Sequence, residues 1–165
     1  MKLSFSTLLS STCAVLMLSA CASSSDPKST NSAKAISTIP NVTAPTSGLK
    51  AQQLQPGECG LFLWTKGLPN TLIFYSKAGT NTALLKSNDA EQSITLIDAS
   101  GDIFGQFMTQ QTYQAPNQVT VSLNFSAGKA MEDGQRISNG RLTRISAEGW
   151  ETIIPIVGVR ACQPG

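Results

Sequence analysis

Gln118–Ser126, QVTVSLNFS, is the stretch on which the fold turns. Val119, Val121, Leu123 and Phe125 point one way, and Thr120, Ser122 and Asn124 point the other. Period-two alternation of this kind belongs to a strand with one face in a core and one in water. Working outward, the same signal recurs in both directions. Cys59–Thr65 (CGLFLWT) and Thr71–Ser76 (TLIFYS) are continuous apolar runs of strand length. Lys66-Gly67-Leu68-Pro69-Asn70 between them has turn chemistry, so the two runs read as a hairpin buried on both faces. Thr82–Ser87 and Ser93–Asp98 read as shorter strands, and Phe104–Gln114 as a longer polar one. Arg141–Ser146 and Trp150–Cys162 read as a closing hairpin across Ala147-Glu148-Gly149.

Turn-rich composition places breaks at Asp98–Asp102 and over Ala127–Gly134, where Gly128 and Gly134 argue for a loop. Pro155 lacks an N–H, so it is expected at a sheet edge or a bulge. Trp64 and Trp150 fall in apolar strands and are expected in the core. No segment carries a helical stripe. The expectation is an all-β fold, a small antiparallel barrel or sandwich of seven or eight strands with one disulfide.

The cysteines supply that disulfide. Of the four, Cys13 and Cys21 lie near the N-terminus, leaving Cys59 and Cys162 near the two ends of the strand-rich region. In an oxidising compartment such a pair closes. Two cysteines without a histidine are a poor zinc set, and no metal or cofactor is expected.

The N-terminus indicates the compartment. Lys2, an apolar run over Leu3–Leu18 and small residues at Ser19 and Ala20 follow the order of a secretory signal. The run is interrupted by Ser10, Ser11 and Thr12 and is too short to span a bilayer. Leu18-Ser19-Ala20-Cys21 resembles the bacterial lipobox. The resemblance implies cleavage before Cys21 and acylation of that cysteine. With Ala22 rather than Asp following, it also implies the outer membrane of a Gram-negative envelope. Ala22–Gln53 is rich in Ser, Thr, Ala, Asn and Pro and has no aromatic residue. Such a segment reads as a disordered tether reaching roughly 30 Å. The expected organisation is therefore a signal peptide over 1–20, a lipidated N-terminus and tether over 21–53, and a β-domain over 54–165.

Composition narrows the function classes. There is no histidine, which removes Ser-His-Asp and Cys-His catalysis in their usual forms. Ser126-Ala127-Gly128-Lys129 fits S-x-x-K, but the pattern recurs at Ser25 and Ser47 and no K-T-G element accompanies it. Asp98 with Asp102, and Glu132 with Asp133, read as turn residues rather than paired catalytic carboxylates. The formal net charge is +2, part of it on Lys2, so no nucleic-acid footprint is present. Arg136, Arg141, Arg144 and Arg160 form the one basic concentration, a candidate surface for an anionic partner; Arg141 and Arg144 would face opposite ways on one strand. Trp64-Thr65-Lys66-Gly67 is similar to the W-x-K-G of the membrane-bound C-type lysozyme inhibitors, lipid-anchored small β-barrels with a disulfide. That resemblance implies a partner-binding role for Lys66. The expectation is a non-enzymatic, lipid-anchored module that binds an envelope protein or peptidoglycan, with inhibition of a lysozyme-type hydrolase as the alternative.

Overall fold

Eight strands follow one another around a closed antiparallel barrel in the order of the chain. The computed structural model describes Pro45, 47–88 and 90–165. The signal, the lipobox and most of the expected tether lie outside these residues. The strands are β1 (Cys59–Thr65), β2 (Leu72–Lys77), β3 (Thr82–Ser87), β4 (Ala90–Phe104), β5 (Phe107–Gln114), β6 (Thr120–Met131), β7 (Gly134–Ile145) and β8 (Glu151–Cys162). Closure comes from β1 and β8, which pair in unbroken register from Cys59↔Cys162 to Thr65↔Ile156. The Cys59–Cys162 disulfide bridges the first of these pairs, with Cα atoms 4.0 Å apart. A closed barrel leaves no strand edge exposed, which distinguishes it from the sandwich that local alternation permits equally well.

An eight-stranded barrel is just wide enough for its own side chains to fill, and this one is filled. Leu61, Leu63, Phe74, Tyr113, Leu123 and Ile156 are among the inward residues with almost no exposure. Phe74 meets Tyr113 edge-on at 5.4 Å, and Phe104 meets Phe125 at 5.2 Å. Most polar groups inside are partnered, the exception among the described residues being Arg160 Nε, which is buried opposite Leu61 without a hydrogen-bond partner. The Tyr113 hydroxyl donates to Gln111 Oε1 at 2.5 Å, and Gln111 Nε2 donates to the Met108 carbonyl at 2.7 Å. Thr65 closes the β1–β2 loop, accepting the Thr71 N–H and donating to the Pro69 carbonyl.

Several local expectations are corrected. Asp98–Asp102 is not a turn but part of the 15-residue β4. Its polar, glycine-containing composition serves register shifts against β5 between Leu96 and Asp98 and between Ser100 and Ile103, with Gly101 at φ +84°. The turn lies at Gly105-Gln106. Of Ala127–Gly134, only Glu132-Asp133 forms the expected turn, and the rest is strand. β6 runs on to Met131 across irregular pairing with β7, and Gly128 is there because a Cβ would come within 2.5 Å of Ser138 Oγ. Pro155 is paired with Arg141 within the barrel wall, its side chain exposed. Its carbonyl accepts the Lys66 N–H, and without an N–H of its own it returns nothing, so the β1–β8 ladder ends one residue earlier.

Residues before β1 form a strap. Pro45 and Leu49 are buried, and the Leu49 N–H donates to the Leu72 carbonyl at 2.8 Å. The chain then descends the outer wall, where Leu54 packs beside Gly60, and turns into β1 through Gln55–Glu58. Glu58 fixes that turn. It accepts the Gln55 N–H and pairs with Lys77 at 2.9 Å, and these two contacts hold its carboxyl below the usual range. The expected tether thus reaches the barrel and packs on it over its last residues.

Candidate functional site

With the interior occupied, ligand-sized space lies on the outer wall. On β1, inward Leu61 and Leu63 alternate with outward Phe62 and Trp64, so the hairpin expected to be buried on both faces is instead aromatic on its outside. Phe62 lies 5.0 Å from Tyr75 and 6.3 Å from Trp64, ring centre to ring centre. The strap shelters the lower part of this row, with Leu54 and Pro56 beside Phe62 and Gln53 beside Tyr75. Burial raises the Tyr75 hydroxyl's pKa, the Lys77 cation opposing.

Trp64, at the other end of the row, borders a cleft of about 680 Å³. Register explains its composition. Trp64 stands across from Val157 and Phe62 across from Val159, and Val159 stands across from Arg136 on β7. Met131 at the end of β6 and Asn70 from the β1–β2 loop complete the rim. The cleft is therefore apolar with one cation. No acidic residue lines it, and Arg136 has no ion pair among the described residues, where Lys77–Glu58 is the one salt bridge.

The expected basic residues do not form one surface. Arg136 lies in the Trp64 cleft. Lys66 stands beside it, at the start of the β1–β2 loop, where its Nζ donates to Asn139 Oδ1 at 3.1 Å and ties the loop to β7. Arg141 is on a different part of the wall, in a shallow polar depression of about 490 Å³ with Asp98, Gln110 and Asn124. Arg144 points to the barrel mouth, beside Pro45, Ile73 and Ile154. Arg160 lies over the Phe104 ring and donates to Cys162 Sγ at 3.3 Å.

Trp64 and Trp150 are corrected from core to surface. Trp64 is half-buried on the outer wall, and Trp150 is 55% exposed at the β7–β8 turn. The shared parity of Phe62 and Trp64, opposite to that of Leu61 and Leu63, is the sequence signal that could have found this. Among the described residues no group of three or more His, Cys, Asp or Glu side chains could hold a metal ion. Compared with known proteins, the chain matches no family model, no curated protein and no solved structure.

Proposed function

We propose that the chain is a lipoprotein of a Gram-negative envelope, anchored through acylated Cys21, whose barrel is a non-catalytic binding module working through its outer wall. The observation that carries this reading is the Trp64–Arg136 cleft, an apolar recess with an unopposed cation on a barrel whose interior is already full. A half-buried Trp64 beside an exposed Arg136 brings together two residue types that are enriched in protein interfaces. The partner this favours is an envelope protein that presents an apolar side chain beside a carboxylate; peptidoglycan is the other candidate. The signal-like N-terminus supports the address, as does a disulfide suited to an oxidising compartment.

Cross-linking in intact cells followed by co-purification tests the module. A partner captured by the wild type and lost from Trp64→Ala and Arg136→Ala supports it, whereas capture unaffected by either substitution sinks the cleft as the site. The address has its own test. Globomycin should leave unprocessed precursor, and Cys21→Ser should leave the membrane fraction.

A second reading is inhibition of a lysozyme-type hydrolase. It is favoured by the β1–β2 loop, where Lys66 is exposed beside the cleft and Leu68 is 96% exposed at the tip. A lysozyme assay with the Lys66→Ala variant as control decides it; no inhibition at high molar excess dismisses the idea.

A further inference from the structure

The chain arrives at one particular end of the barrel. Pro45 sits in the mouth among Ile73, Leu85 and Ile154, and Leu49 is bonded to the first residue of β2. Strand order puts the β1–β2, β3–β4, β5–β6 and β7–β8 connections at this same end. Two of those connections expose large apolar groups. Leu68 is 96% exposed and Trp150 is 55% exposed, and Ile145 and Ile153 flank Trp150 at 38% and 57%. Trp150 is held in place by its backbone: Ser146 N–H donates to its carbonyl at 2.9 Å, and its own N–H donates to Ser146 Oγ at 3.2 Å. At the opposite end the exposed apolar residues are Ile103 and Met131, and neither is aromatic. Charge in and beside the connections at this end is balanced in the sequence, Lys50, Lys66, Lys86 and Arg144 against Asp89, Glu91, Glu148 and Glu151.

We infer that this end of the barrel docks on the membrane itself, with Trp150 and Leu68 seated at the boundary between headgroups and acyl chains, a placement that presupposes the lipid on Cys21. The position of the anchor selects a lipid surface over a protein partner. About 24 residues separate Cys21 from Pro45, a path that no conformation stretches beyond roughly 85 Å. The barrel therefore never leaves the neighbourhood of the bilayer, and a contact too weak to hold a free protein is engaged at high effective concentration. The chain enters at the end that carries the apolar loops, so these can face the membrane without the strap reversing course. Trp suits this boundary because its ring is apolar while its N–H stays wet. Balanced charge makes the contact apolar rather than electrostatic, and thus insensitive to salt. Docked in this way, the barrel holds the Trp64–Arg136 cleft on its side wall, presented laterally above the membrane.

The chain has two tryptophans, which makes the test direct. The full-length lipidated protein carrying Trp64→Phe is reconstituted into vesicles of phosphatidylethanolamine and phosphatidylglycerol that contain a lipid brominated on its acyl chain. Trp150 emission should shift to the blue and fall on the order of twofold, an interfacial depth for the ring. The quenching should survive about 0.5 M salt, where charge contacts are screened, and should weaken when Leu68→Ser is added. Trp150 emission unchanged by bromolipid, with iodide access equal to that of the Cys21→Ser protein in solution, overturns the docking. Hydrogen exchange on the unsubstituted protein gives a second measurement that does not depend on the Trp64 variant folding. Docking predicts slowed exchange at 66–70 and 146–150 on vesicles, and no slowing refutes it. Failure of the anchor is recognised separately, by Cys21→Ser being processed normally and staying with the membrane.

Discussion

Removal of the Cys59–Cys162 bond in a Cys59→Ala/Cys162→Ala protein should leave the barrel standing but much less stable. The seven-pair register between β1 and β8 holds those strands together by backbone hydrogen bonds, so the native seam does not depend on sulfur. The cost falls on the unfolded chain, which regains the freedom the cross-link removed. For a sequence separation of 103, the chain-entropy relation gives about 4.7 kcal/mol at 25 °C. Real denatured chains are compact, so the measured loss should lie at about 2–4.7 kcal/mol. With a urea slope near 2 kcal/mol/M, the midpoint should fall by about 1–2 M. Urea titration followed by far- and near-UV circular dichroism measures both quantities, and both signals should be native-like before the transition. A midpoint within about 0.3 M of the wild type would falsify the argument, because it would mean that the unfolded chain gains nothing from release. A variant with strand signal but no near-UV signal refutes it differently, by showing that the seam needs the bond in the native state.

The barrel interior predicts an alkaline weakness. Burial pushes the Tyr113 phenol up to about 12, with the neighbouring Ser76 hydroxyl opposing. Above pH ~10 the unfolded chain releases this proton and the folded chain keeps it, so stability is full below pH ~10 and declines towards pH ~12, by on the order of 2–3 kcal/mol in all. Tyr113→Phe leaves Gln111 without its donor and should cost about 1 kcal/mol at neutral pH. It should then lose less than the wild type on going to high pH, and parallel curves for the two proteins refute the assignment. Gly158→Ala should destabilise by about 1–3 kcal/mol through overpacking, because a Cβ there would lie 2.6 Å from Leu63 Cδ2 and closer still to the Phe62 carbonyl. A thermal midpoint unchanged by that substitution would show that β8 can move away from β1.

Much of this architecture is legible in local sequence. The alternation in β6, the apolar runs of β1 and β2, the turn at Lys66–Asn70 and the closing hairpin into Cys162 all appear where the residues place them, and the disulfide joins first strand to last. What alternation cannot supply is pairing between distant segments. It describes a barrel strand and a sandwich strand identically, and only the contact of β1 with β8 separates them. The same gap hides the site. Trp64, Arg136 and Val157 are far apart in the chain and meet because two registers, β1 with β8 and β8 with β7, bring them onto one wall. The misplaced turns have a different cause. Glycine and aspartate at Asp98–Asp102, and Gly128 and Gly134 on either side of the true turn at Glu132-Asp133, serve bulges and close approaches inside long strands, and composition alone reads both segments as turns.

The fate of the aromatic residues links fold to function. A small barrel has room for a limited number of rings, and Phe74, Phe104, Phe107, Tyr113 and Phe125 occupy it. Phe62, Tyr75, Trp64 and Trp150 are left on the outside, and they are not treated alike. The strap shelters Phe62 and Tyr75. Trp64 is covered by neither strap nor core, and it is the one that borders a cleft with an unpaired arginine. Trp150 is more exposed still, at the end where the chain enters. Apolar surface is costly to keep in water at roughly 25 cal/mol per Å², so exposed Trp150, and half-buried Trp64 beside an open cleft, mark surfaces meant for contact. In the reading proposed here their contacts differ, a protein partner for Trp64 and the bilayer for Trp150. Trp64→Ala should therefore abolish partner capture and leave membrane protection of 146–150 intact, while Trp150→Ala should do the reverse. A substitution that removes both would mean that the two surfaces are one.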